Sequence, residues 1–155
     1  MAQFLQSFCF GNYILSVALL SWLAAQVAKT LINYFLSGKF DAERLWGAGG
    51  MPSAHSALVC SAFLAAAKRE GVHSPIFAFA FILAAIVMYD AMGVRRETGE
   101  QAKVLNKMFE KDANAQDGEY KKLKEQVGHT PIEVLSGALL GILIAVLIPV
   151  PSPAG

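Results

Sequence analysis

Charge is scarce in this chain. Asp, Glu, Lys and Arg make up only 16% of its 155 residues, against 55% hydrophobic residues, and the mean hydropathy is +0.45. A soluble domain carries about 25% charged residues, so the composition leans toward a membrane protein. What charge there is nearly cancels, to a formal +1, and so points to no particular partner; a nucleic-acid partner is not expected. The two cysteines, Cys9 and Cys60, form no CxxC and have no metal-ligand spacing. Cys60 lies in an apolar run and reads as a small packing residue. No basic n-region precedes the first apolar run, so a cleavable signal peptide is not expected. Internal repeats and low-complexity tracts are missing, and so is strand-like alternation, which favours buried helices over sheet.

What is present is four apolar stretches within one expected domain, 1–155. They run from Tyr13 to Leu36 (broken by Gln26 and Lys29), Ser56 to Ala67, Pro75 to Val94 (with Asp90 near its end) and Val134 to Val150. A lone spanning helix needs about 20 apolar residues. The first, third and fourth stretches come near that length; the second is short and is expected to be tilted and shielded by its neighbours. Gly137 and Gly141 form a GxxxG that permits close helix contact. The expected fold class is all-α: an integral membrane bundle of about four transmembrane helices, with a polar segment from Arg95 to Gly128 between the third and fourth. Within that segment Val104, Leu105, Met108 and Phe109 share one helical face. Two readings are open for it: a helix lying on the membrane surface, or one folded over the end of its own bundle.

In an antiparallel four-span order, the end of the first helix, the start of the second, the end of the third and the start of the fourth share one membrane face. Of the 13 basic residues, all but Lys68 and Arg69 fall on that face, which the positive-inside rule assigns to the cytoplasm. Three polar segments meet there. In "GGMPSAHS", Pro52 and Ser53 suit a helix start, and a helix N-terminus is a ready anion site. His55, one turn inside, can give a proton to a leaving oxygen near neutral pH. In "GHTPIE", Thr130, Pro131 and Glu133 fit a capping box. His129 stands four residues before Glu133, so that the carboxylate can orient and polarise its imidazole for attack on phosphorus. In "YDAMGVRR", Arg95 and Arg96 carry the fork of donors that grips phosphate oxygens; Asp90 can pair with either, or with Lys29. Lys29, with Gln26 one turn earlier, is expected to face the bundle interior. Taken singly, each segment also reads as a capped helix or a basic interfacial anchor. His73, on the opposite face, is assigned no function.

Together, "GGMPSAHSALV", "VMYDAMGVRRETGEQAKVLN" and "GHTPIEVLSGALLG" resemble the hallmark segments of the type 2 phosphatidic acid phosphatase superfamily, which is related to acid phosphatases and vanadium-dependent haloperoxidases. The resemblance is to its divergent small bacterial and plastid branch, and it covers nearly the whole chain. It implies a membrane lipid phosphatase with no metal or other cofactor, acting on a lipid phosphomonoester or diphosphate through a phosphohistidine. By the same resemblance His129 is the nucleophile, His55 the general acid and Glu133 the orienting carboxylate, while Ser53 and the Ala54 backbone hold phosphate. The chain departs from the wider pattern in having Ala54 for glycine and Glu133 for aspartate, and in lacking the Lys-x6-Arg-Pro segment. Lys29, Lys39 and Arg44 are the substitutes for that segment. Leu123 stands where an arginine is expected six residues before the nucleophile, leaving its contact to Arg95 or Arg96, with Lys124 as the lesser choice. The partners this implies are a lipid phosphate and the bilayer, with self-assembly left open. The alternative from another class is a catalytically silent phosphate- or lipid-binding membrane protein or transporter.

Overall fold

The computed structural model describes residues 11–37, 50–111, 122–123, 125 and 128–151. These form five helices: α1 (Tyr13–Ser37), α2 (Ala54–Glu70), α3 (Pro75–Met92), α4 (Val94–Lys111) and α5 (Pro131–Leu147). The helix starts follow local chemistry. Ser53, Ser74 and Thr130 are the N-caps of α2, α3 and α5, each side chain accepting a backbone N–H three residues on. Pro75 and Pro131 occupy the first helical position, where the missing N–H costs nothing. α5 stops at Leu147, because Ile148 precedes a proline and is held extended.

α2 is the axis of the fold, packed against α1, α3 and α5. The directions alternate. At one end Tyr13 of α1 donates to the Ile148 carbonyl beyond α5, and Lys68 of α2 reaches the same carbonyl. At the other end the Ser53 N–H donates to the Glu133 carbonyl, and the His129 N–H to the Ala91 carbonyl of α3. The interior is built from small side chains: Ala25, Ala54, Ala57, Ala65, Ala66, Ala84 and Ala145 are all buried, and so are Ser21, Ser56 and Ser61. Large side chains point outward, among them Leu19, Leu23 and Leu31 of α1, Phe79, Ile82 and Ile86 of α3, and Leu135, Leu139 and Leu143 of α5. This inverts the order of a water-soluble bundle and is the order expected when lipid covers the outside and close backbone approach supplies the cohesion. Two stretches, Tyr13–Phe35 and Pro75–Glu110, are long and apolar enough to cross a membrane, and Pro131–Leu147 is a shorter apolar helix.

The tightest seam lies between α2 and α5. A Cβ on Gly137 would collide with the Ser53 carbonyl, and one on Gly141 with the Ala57 carbonyl. The GxxxG expected to permit close contact thus presses the last helix onto the first turn of α2. Cys60 is a free, buried thiol with its Sγ 3.6 Å from Met88 Sδ, the packing residue expected.

Two boundaries differ from the sequence reading. α2 extends beyond Ser56–Ala67 to Glu70, because Lys68 is taken up by carbonyls of the neighbouring helix. α5 starts at Pro131 behind its Thr130 cap, as the capping box in the sequence implies. The third apolar stretch ends at a break: Gly93 leaves helical geometry at φ −100° and ψ −88°, and α4 begins at Val94. Among the described helices α4 packs only against α3, so none of the other described helices lies beneath it. Its Ala102–Asn106 face is covered instead by the returning chain. There the Asn106 amide donates to the Leu123 carbonyl (2.9 Å) and accepts the Leu123 N–H (3.0 Å). Val104, Leu105, Met108 and Phe109 remain exposed, at 58%, 44%, 63% and 42%.

Candidate active site

Helix starts from two distant parts of the chain converge at the end of the bundle where α3 stops. On α2, the Ser53 Oγ accepts both the Ser56 N–H (3.3 Å) and the Ser56 hydroxyl (3.0 Å). With these two contacts accepted from Ser56, the Ser53 hydroxyl keeps its own proton available for donation. Ser53, Ala54 and Ser56 are buried, whereas His55 is exposed at the mouth.

On α5 the wall is fixed by three contacts. Gly128, at φ +92°, precedes His129, and a Cβ there would stand 2.7 Å from the Arg96 backbone nitrogen; only glycine fits both the conformation and the space. The His129 N–H donates to the Ala91 carbonyl at 3.1 Å. In an uninterrupted helix that carbonyl would receive the N–H four residues on, so the break at Gly93 is what frees it. The capping box then closes the turn: the Thr130 N–H donates to Glu133 Oε2 at 2.7 Å and the Glu133 N–H to Thr130 Oγ1 at 3.3 Å.

The two imidazoles meet. The His55 and His129 ring centroids lie 6.5 Å apart, edge to face at 65°. His129 is only 6% exposed, and its Nε2 is buried without a hydrogen-bond partner among the described residues. A buried polar atom left unpaired costs free energy, and this one belongs to the ring that meets His55. Arg95 and Lys29 lie within electrostatic reach of His55, and Lys29 also of Glu133. Lys29 is 5% exposed, its aliphatic stem beside Gly50, so it faces the bundle interior as expected. Arg95 Nε donates to Asp90 Oδ2 at 2.7 Å, which resolves the choice of partner for Asp90. This pair is solvent-exposed and serves to aim Arg95 more than to stabilise the fold.

Of the residues singled out from sequence, Ser53, Ala54, His55, Lys29, Asp90, Arg95, His129 and Glu133 gather at this end. Arg96 meets Gly128 with its backbone while its side chain is exposed. Arg44, Lys39 and Lys124 lie outside the described residues. One contact differs from expectation: Glu133 spends Oε2 on its own cap, and no hydrogen bond joins it to the His129 ring among the described residues. Sequence reasoning missed Ser56, Gly128, the Ala91 carbonyl and Asn106. Ser56 was legible as the third residue after an N-cap serine; the other three act through contacts that no local pattern encodes.

Comparison with known proteins gives the family. The family model described as "Divergent PAP2 family" matches residues 10–144, a span that holds both histidine segments and the α3–α4 junction. The chain is 41% identical over 148 residues, covering 88% of this chain and 94% of the relative, to a Bacillus subtilis (strain 168) protein bearing the name "Uncharacterized membrane protein YuiD". No solved structure matches. With the outward apolar surfaces of its helices, this is a membrane protein, and the chain belongs to the divergent PAP2 family.

Proposed function

We propose that this protein is an integral membrane lipid phosphatase that hydrolyses a lipid phosphomonoester or diphosphate, with phosphatidate, phosphatidylglycerophosphate and polyprenyl diphosphate as the fitting classes. The observation that carries the reading is the pairing of the His55 and His129 rings at 6.5 Å across two helix N-termini. At this separation both rings can reach one phosphoryl group. In-line attack, with a nucleophile at about 3 Å from phosphorus and an acid at about 3 Å from the leaving oxygen, requires the exposed His55 ring to swing outward as the headgroup enters.

In the proposed reaction Nε2 of His129 attacks phosphorus, and the nitrogen–phosphorus bond forms as the bond to the ester oxygen breaks. The electron pair stays on that oxygen, which takes a proton from His55. Water, deprotonated by His55, then displaces His129 and releases inorganic phosphate. Ser53 Oγ, the free N–H groups of the first turn of α2, Arg95 and Lys29 take the charge of the phosphoryl oxygens. Four spans, with α2 shielded by its neighbours, set this mouth at the membrane interface, so a lipid tail remains in the bilayer while its headgroup enters. The excess of basic residues at this end assigns it to the cytoplasmic side.

Phosphate release from a panel of these lipids by the detergent-solubilised full chain tests the reading. Release should fall to background in His129→Ala; equal release by parent and variant would exclude the mechanism. One observation favours the silent binder as a second reading: the Glu133 carboxylate serves its own cap, so the His129 ring lacks that carboxylate as its polarising partner. Vanadate, which mimics pentacoordinate phosphorus, separates the two. A catalytic site binds it in a manner lost with His129→Ala, and a pure lipid binder need not bind it.

A further inference from the structure

We infer that α4 lies in the interfacial plane of the bilayer, seated on its Val104, Leu105 and Met108 face. The helix has three longitudinal faces. One, through Ala102 and Asn106, is buried under the returning chain. A second carries Arg96, Glu100, Lys103, Lys107 and Glu110, all exposed. The third carries Val94, Val104, Leu105 and Met108, exposed at 59%, 58%, 44% and 63%. Glu97 and Gln101 share its first two turns, so its apolar part is the C-terminal half, and α4 packs against no described helix other than α3.

The occupant follows from continuity. α4 begins two residues beyond the end of α3, whose outer side chains Phe79, Ile82, Ile86 and Tyr89 form part of the lipid-facing surface. Val94 extends that apolar surface across the break at Gly93, where polar residues first appear and the headgroup layer is reached. A helix leaving a span at that depth with one apolar and one charged face is placed to lie along the layer, apolar side toward the chains. Its five basic residues, Arg95, Arg96, Lys103, Lys107 and Lys111, exceed its three acidic ones, Glu97, Glu100 and Glu110, which suits an anionic surface without requiring one. The seat matters because Asn106 fastens the returning chain, Leu123 first, to the side of α4, and the same chain reaches Gly128 against Arg95 and Arg96 just before His129. Membrane contact through α4 therefore fixes the height of the His129 wall relative to the headgroups.

The test does not depend on activity, so it stands apart from the phosphatase reading. Single cysteines in place of Leu105, Met108, Lys103 or Lys107, in a Cys9→Ser and Cys60→Ala background, are labelled with a nitroxide in full-length protein. The protein is then reconstituted in phosphatidylcholine–phosphatidylglycerol vesicles. Collision with oxygen should exceed collision with an aqueous nickel chelate several-fold at 105 and 108, with the order reversed at 103 and 107. Preference for the nickel chelate at all four positions would overturn the inference. So would spin–spin broadening at 105 and 108 between copies, which would give the face to a second molecule. In the unaltered protein, a lipid-phase diazirine probe mapped by mass spectrometry should mark the segment at 104, 105 and 108; its absence there would count equally against the bilayer.

Discussion

The two ends of the bundle are made from the same parts and finish differently. At the end holding the turn between α2 and α3, the exposed helix groups are closed from within. Lys68 Nζ donates to the Ala145, Val146 and Ile148 carbonyls, Tyr13 donates to Ile148, Gly71 N–H returns to Ala67, and Ser74 caps α3. At the other end Ser53 and Thr130 also cap their helices, yet α2 and α5 start side by side, the His55 and His129 rings meet there, and His129 Nε2 is left without a partner among the described residues. Capping alone therefore marks nothing. An end becomes a candidate site when N-termini converge, cationic side chains lie within electrostatic reach and a buried polar atom is left over. His73, on the closed end, has none of these neighbours in common with His55.

The comparison would break most completely at the seam joining the two ends. Gly137→Val forces side-chain atoms into the Ser53 carbonyl, so both the packing and the facing of the two histidines should fail. Overpacking costs about 1–3 kcal/mol when neighbours can yield and more when the neighbour is backbone. A thermal scan of the solubilised protein should show a large drop in midpoint together with loss of phosphate release; an unchanged midpoint would mean that the helices have room to separate. A smaller effect belongs to the closed end. Lys68→Met removes a charged donor from three carbonyls and should cost about 1–2 kcal/mol, while release per folded molecule stays the same. Loss of activity without loss of stability would show that the ends are not separate in function. The smallest belongs to Glu133→Gln, which retains capping-box chemistry and should shift stability by less than about 0.5 kcal/mol. A near-normal rate is expected from the hydrogen bonds seen; a tenfold fall would place the other carboxylate oxygen on His129.

How much of this was legible depends on the distance over which each feature is encoded. The caps at Ser53, Ser74 and Thr130 are local, and the sequence carries them openly. The four apolar stretches and the outward face of α4 are periodic, so their existence was plain and their ends less so. Lys68 illustrates the shortfall: a charge read as closing α2 instead continues it, because its partners lie on another helix. Glu133 illustrates competition, since one carboxylate was assigned two tasks four residues apart and the backbone N–H of Thr130 holds it. Asn106 and Gly128 were silent, for each acts on chain that returns from elsewhere. The meeting of His55 with His129 was inferred from topology, and it followed once the alternation of helix directions was right.

The bond from His129 to the Ala91 carbonyl has a consequence for biogenesis. α5 follows the other helices in the chain, so α1 to α3 can be inserted and paired while this carbonyl still waits at the end of α3. The His129 imidazole is thus delivered only when the polypeptide doubles back, and a nascent molecule stalled before that moment would hold His55 without the ring that it meets in the finished bundle.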